Sequence, residues 1–345
     1  MDERNSPLTK SELAFTYPPY PSDNLGHLEL DKLVRLSYHR LCKEPKHDLG
    51  VLDLPVETLN MIMGHLDLRS LMSLQRVNRR AFHMVNAMPE LGAIMEYSPN
   101  ALRAIFAIKT GRFITCRMLF AKLCSYQCET CSEFAGYLYV LTCKRVCYHC
   151  FTSLPKYLPV LRSDARERIG LPADIIKQIP QMKSVPGRYT ALHRRRPRRT
   201  LMDATAVREA GIALHGNARA VECYSKKVAA EKLEAYRVSR RKLEPDLVDH
   251  NIDREYSFNL PRDEYYFNPR RFMAIVSVPF IDIQDRRAHW GFHCLACLTD
   301  VKGIKSSDRQ YIASLFRDHL QEDGEIIREK HFTKPVAKIQ GPNPP

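Results

Sequence analysis

Two cysteine pairs constrain this chain more than any other feature. Cys128 and Cys131 are two residues apart, Cys147 and Cys150 likewise, and fifteen residues separate the pairs. A two-residue gap puts both thiolates on one tight turn, about the bite that a tetrahedral metal ion needs. Between the pairs, Gly136 and the run Tyr137-Leu138-Tyr139-Val140-Leu141 suit a small hairpin that carries one turn back to the other. Cysteine is also a common core residue, but four buried free thiols rarely fall into two paired turns. The spacing therefore points to one zinc ion held by Cys128, Cys131, Cys147 and Cys150. Cys124 and Cys143 are left over and read as buried thiols, although Cys143 lies close enough to Cys147 to replace a ligand.

The wider composition fits a metal-binding use of cysteine. No run of about 18 apolar residues is present, so no membrane-spanning helix is indicated. Met1 to Lys10 is polar and lacks the apolar stretch of a secretory signal. The expectation is an intracellular protein of cytoplasm, nucleus or both. Disulfides seldom persist in those compartments, so clustered cysteines there read as metal ligands. The formal net charge of +14 favours acidic partners, protein or nucleic acid, without choosing between them.

Along the chain, the fold class reads as mainly α with small β and zinc-stapled elements. Residues 1–48 carry Pro18, Pro19, Pro21 and Pro45 and read as a poorly ordered leader, with a short amphipathic helix available from His27 to Leu41. Residues 49–95 read as three short helices, opened by Pro55, Asp67 and Asn78. Two more helices follow over 97–124, the first ended by Gly111. Residues 96–335 read as one zinc-stapled, mixed α+β domain, and 336–345 as a frayed tail. Within that domain, Thr205 to Glu244 reads as one long helix or two broken near Gly216. Phe272 to Ile281 alternates as a strand does, His289 to Leu298 suits a second strand or a knuckle, and Asp308 to Gln321 is an amphipathic helix.

The 49–95 segment carries a recognisable pattern. Leu52-Asp53-Leu54-Pro55-Val56-Glu57 leads through Leu66-Asp67 to Leu71, Leu74 and Val77-Asn78-Arg79-Arg80. This run is similar to the F-box. Three helices of that size cannot bury all their apolar residues alone, which leaves a face seeking a partner. The resemblance implies docking on a Skp-type adaptor, itself held on the cullin of a ubiquitin ligase. Leu52, Leu54, Pro55, Leu59, Ile62, Leu66, Leu71, Leu74 and Val77 would form that face, with Leu54 and Pro55 at its centre. A helical trio packed only into its own chain is the alternative.

The likeness extends further. Cys128 to Cys150, Leu171-Pro172, Pro186-Gly187, Ala213-Leu214-His215-Gly216 and Trp290-Gly291 before Cys294-Leu295-Ala296-Cys297 resemble a group of fungal F-box proteins with a cysteine-rich knuckle. That implies a shared architecture and an adaptor role, the C-terminal domain binding an unspecified target protein. Cys294 and Cys297 also form a candidate half of a second metal site. His319 and Asp323 are the candidate partners, because they would share a helix face four residues apart. The resembling group often has cysteine where Asp323 stands, and carboxylate is a harder zinc ligand, so a metal-free turn is equally open.

Two other function classes are weighed. The run Arg194-Arg195-Arg196-Pro197-Arg198-Arg199 and the helix Lys226 to Lys242 give the 183–243 region a basic character that would suit a zinc-dependent nucleic-acid-binding protein. The same run would serve as a solvated loop or a nuclear-import signal. An enzyme has little support: there is no H-E-x-x-H, no Gly-rich phosphate loop and no G-x-S-x-G.

Overall fold

Short polar side chains set where many of the helices begin. The computed structural model describes residues 8–18, 25–34, 54–189, 196–244, 248–259, 268–299, 309–327 and 330–332. Thr9 and Glu12 form a reciprocal capping box around α1 (Lys10–Leu13), which leads into the short strand β1 (Thr16–Tyr17). A 3-10 turn, Leu25–Leu28, precedes α2 (Leu30–Leu33), and Leu25 and Leu30 are both buried. Within the described part of the expected leader, Leu25 and Leu30 pack into the main core. Of the amphipathic helix expected from His27 to Leu41, α2 lies within the described residues, and residues 35–41 lie outside them.

Three helices follow: α3 (Val56–His65), α4 (Leu68–Leu74) and α5 (Arg79–Asn86). Asp67 caps α4 by accepting from the Ser70 N–H at 3.0 Å, and Asn78 caps α5 by accepting from Ala81 at 2.7 Å. α6 (Pro89–Tyr97) and α7 (Pro99–Ile108) both open with proline at a first-turn position, where its missing N–H costs nothing. α7 ends at Lys109, which takes a left-handed conformation with φ 65°, and not at Gly111 as the composition suggests. Thr115 then caps α8 (Cys116–Leu123).

The middle of the chain supplies the sheets. β2 (Tyr137–Tyr139) and β3 (Lys144–Val146) form a hairpin followed by α9 (Tyr148–Ser153). Beyond it come β4 (Val160–Leu161), α10 (Arg162–Glu167), α11 (Ala173–Gln178), β5 (Gln181–Lys183) and β6 (Thr200–Met202), with strand order β4-β6-β5. α12 (Ala204–His215) stops at Gly216, whose φ of 93° ends the helix, and Asn217 caps the long α13 (Ala218–Leu243). α13 buries no residue fully and packs against α12 and α14 (Asp249–Asn259).

The C-terminal part returns to the centre. α15 (Pro269–Phe272) leads to β7 (Ile275–Ser277), which pairs with β2 to give the order β3-β2-β7. The hairpin β8 (Phe280–Asp282) and β9 (Arg287–His289) follows. β10 (His293–Cys294) pairs antiparallel with β1, opposing Cys294 to Thr16. α16 (Leu295–Thr299), α17 (Ala313–Asp323) and the hairpin of β11 (Glu325–Ile327) and β12 (Lys330–Phe332) complete the described chain. The class is mainly α with small antiparallel sheets, as expected.

One hydrophobic core joins Leu25, Met63, Leu71 and Leu91 to Leu138, Phe151 and Val276. This core spans residue 95. A small satellite cluster lies apart, with Cys294, Cys297, Tyr311, Phe316 and Ile326 buried and Leu8 and Phe15 packed against it.

Candidate functional site

The α3–α5 region presents an apolar face to solvent. Leu54, Val56, Met61, Ile62 and Val77 are all exposed, Met61 at 62% and Val77 at 59% of full accessibility. Pro55 is exposed beside them, and Leu66 and Leu74 are half-buried. Leu59 and Leu71, expected on this face, are instead buried within the chain's own core. In α3 the spacing Leu59, Met63, Leu66 makes the inward stripe, so Met61 and Ile62 are left outside. That periodicity is the signal by which Met61 could have been found; Val56 stands at the inward spacing yet is exposed at the first position of α3. Leu52 lies outside the described residues.

The first cysteine cluster forms where the β2–β3 hairpin closes. The ligand atoms of Cys128, Cys131, Cys147 and Cys150 all lie within 4.8 Å of one another, and Cys131 Sγ is 3.6 Å from Cys147 Sγ. Tetrahedral zinc–sulfur bonds of about 2.3 Å require sulfurs roughly 3.8 Å apart. The first turn is held by Ser132 N–H donating to the Cys128 carbonyl at 2.9 Å, with Ser132 left-handed at φ 63°. In the second turn Cys147 is the residue before α9, and its sulfur accepts from the Cys150 N–H at 3.4 Å. The Cys147 thiol, helped by backbone N–H groups of Cys147, Cys131 and Thr130, holds the Cys128 thiol down to about 4 against its burial. The partner thiols move the other way: Cys128 pushes Cys147 up, and burial pushes Cys150 up to about 12. Four sulfurs this close cannot all ionise unaided, and a divalent cation is the chemistry that would let them. Cys143 is fully buried at about 12 and Cys124 half-buried at about 11, both raised chiefly by burial.

A buried guanidinium braces this hairpin. Arg145 on β3 is inaccessible, and burial lowers it to about 9. Its Nε donates to the Ala135 carbonyl at 2.7 Å, and its Nη1 to the carbonyls of Lys122, Leu123 and Pro279 at 3.1, 3.3 and 3.0 Å. Two of those carbonyls end α8, where the helix dipole favours a cation. Arg145 thereby ties the knuckle to α8 and to the β7–β8 link.

The second pair also gathers partners. Cys294, Cys297, His319 and His331 place their ligand atoms within 4.8 Å of one another. Asp323, expected beside His319, stands back from the sulfurs and lies 2.7 Å from His319 Nδ1. His331 is not reached by the sequence reading, which assigns no element between Gln321 and residue 335; the helix-ending Gly324 before a short alternating run is the available sign of a returning strand pair. A third group, Asp282, Asp285 and His289, belongs to the β8–β9 turn, where Asp282 accepts from the N–H groups of Gln284 and Asp285.

Towards its C-terminal end, α13 pairs its arginines with its own neighbours. Arg237 is bidentate to Asp253 with both bonds at 2.7 Å, Arg240 reaches Glu255 at 3.1 Å, and Arg241 clasps Asp249. Arg196, Arg198 and Arg199 are exposed, and Arg194 and Arg195 lie outside the described residues. The nucleic-acid alternative therefore gains no support from α13. A cavity of about 780 Å³ opens between α5–α6 and β8–β9, but Glu90, Glu96 and Asp282 face Arg117 and Arg286 there, so it selects no ligand by charge. Among the described residues, no helix is long and apolar enough to cross a membrane.

An exposed apolar face on short helices, joined to a cysteine-bearing scaffold, is thus what the geometry defines. Residues 51–90 match the F-box domain family model. Comparison with curated proteins and with solved structures gave no match.

Proposed function

We infer that this chain is a non-catalytic, substrate-recruiting adaptor of a Skp–cullin–F-box ubiquitin ligase. The observation that carries the reading is the F-box match over 51–90, with Leu54, Val56, Met61, Ile62 and Val77 of that same segment left exposed. Exposed apolar residues on adjoining helices cost solvation unless a partner covers them. The occupant this reading assigns is the Skp-type adaptor, and through it the cullin. Zinc at Cys128, Cys131, Cys147 and Cys150 keeps the hairpin closed, and the C-terminal part takes up the target protein.

The test is co-purification of the full chain with a Skp-type adaptor, comparing the natural sequence with Leu54→Asp/Ile62→Asp. Truncating central interface residues costs about 2 kcal/mol or more, roughly thirtyfold in affinity. Capture should therefore be lost while thermal stability stays within about 1 kcal/mol, because both side chains are exposed. Undiminished capture by the variant would refute the docking face.

A further inference from the structure

We propose that Cys294, Cys297, His319 and His331 bind a second zinc ion through two sulfurs and two Nε2 atoms. The residues come from separate elements: Cys294 from β10, Cys297 from α16, His319 from α17 and His331 from β12. Cys294 Sγ and His331 Nε2 are 3.4 Å apart, as are Cys297 Sγ and His319 Nε2, and Cys297 Sγ and His331 Nε2. Tetrahedral zinc with bonds of about 2.3 Å to sulfur and 2.0–2.1 Å to nitrogen requires roughly 3.6 Å between such atoms. All three distances meet that requirement within a few tenths of an ångström.

The surroundings of the two imidazoles carry the assignment further. A zinc-binding histidine donates its other ring N–H to an oxygen, which fixes both tautomer and ring orientation. His331 Nδ1 lies 2.9 Å from the Gly324 carbonyl, which can only accept. That bond makes Nδ1 the protonated nitrogen and leaves the Nε2 lone pair facing both sulfurs. His319 Nδ1 lies 2.7 Å from Asp323 Oδ2, so its Nε2 lone pair is likewise turned to Cys297. Asp323 is therefore the orienting group of a ligand and not a ligand. Tyr311 stacks on the His319 ring at 4.5 Å and holds its plane. Two thiolates, two neutral imidazoles and one divalent cation sum to no net charge, which suits ligands as buried as Cys294, Cys297 and His319.

The satellite core around them is also short of apolar material. Apart from the two cysteines, its fully buried members are Ala296, Tyr311, Phe316 and Ile326. So small a core seldom holds alone and is usually stapled by a metal or a disulfide.

Metal content of the purified full chain tests this, with two zinc ions per chain expected. Cys297→Ser/His331→Ala should remove one, and Cys128→Ser/Cys131→Ser should remove the other. Asp323→Asn keeps all four ligands, so it should still fill to two zinc while the second ion binds about 10- to 100-fold more weakly in a chelator titration. Full zinc content in Cys297→Ser/His331→Ala overturns the site, as does copper or iron in place of the second zinc. If His331→Ala alone keeps the ion and Asp323→Ala loses it, the ligand set is wrong. A single zinc that survives Cys128→Ser/Cys131→Ser but not Cys297→Ser/His331→Ala would sink the first cluster and uphold this one.

Discussion

The first cysteine cluster takes its four sulfurs from residues 128–150; the second takes two sulfurs and two imidazoles from residues 294–331. One is a hairpin closed on itself, with both turns in reach of local hydrogen bonds. The other is a meeting of separate elements that come together only once the chain has folded. Their settings differ too. β2 carries Tyr137, Leu138 and Tyr139, all buried, into the main core, whereas the second cluster anchors a small satellite. A metal in the first place would support the whole molecule, and in the second it would support one module. That difference says where each loss should be felt.

Removing the first metal is expected to have the largest effect. Structural zinc contributes on the order of 10 kcal/mol to folding in small domains. Cys147→Ser/Cys150→Ser should abolish the cooperative near-ultraviolet melting transition of the full chain. Removing the second metal should instead leave that transition in place and raise amide exchange only in the satellite module. A wild-type melting curve for Cys147→Ser/Cys150→Ser would break the contrast.

The contrast also explains what was legible beforehand. Cys128, Cys131, Cys147 and Cys150 were readable because sequence spacing and spatial spacing coincide across one hairpin. Cys294 and Cys297 were readable from the same two-residue gap, and His319 by helical periodicity. His331 was not, because its place depends on the turn at Gly324 and on β11–β12 pairing, which brings its ring to sulfurs far back in the chain. Caps at Asp67 and Asn78 and the break at Gly216 are local chemistry and were foreseen. Leu59 and Leu71 turn inward, because which side of these helices is covered is decided by α8 and the rest of the core. The burial of Leu25 and Leu30 is likewise decided by remote partners.

A smaller effect should separate the metal from the scaffold in the first cluster. Arg145→Met removes the donor to four backbone carbonyls without touching a sulfur. Buried acceptors left without donors cost about 1–3 kcal/mol each, partly offset because a buried cation is also removed. A net loss of about 3 kcal/mol in urea unfolding is expected, with zinc content unchanged. Loss of the metal in this variant would mean that the peg and the knuckle are one unit.

The smallest effect concerns how the satellite holds the N-terminal segment. Among the described residues, β1 pairs with β10 through Thr16 and Cys294, the Leu295 N–H donates to the Phe15 carbonyl at 2.9 Å, Leu8 and Phe15 join the apolar cluster, and Arg317 on α17 donates to Glu12 at 3.0 and 3.4 Å. Only the last is titratable. The Arg317 guanidinium holds the Glu12 carboxyl below its ordinary value of 4.5, against the opposing pull of burial. A depressed carboxylate contributes stability that is present above that ordinary value and is lost as pH falls through the folded one. For a partly exposed pair the contribution is about 0.5 kcal/mol. Glu12→Gln should therefore raise amide exchange in β1 by roughly twofold at neutral pH. Natural chain and variant should converge once pH falls below the folded Glu12 value, because the natural carboxyl is then protonated too. If the twofold gap persists there, the contact acts through hydrogen-bond geometry and not through charge. If β1 exchange rises far more than twofold at neutral pH, Glu12 and Arg317 carry the attachment and the strand pairing at Cys294 contributes little.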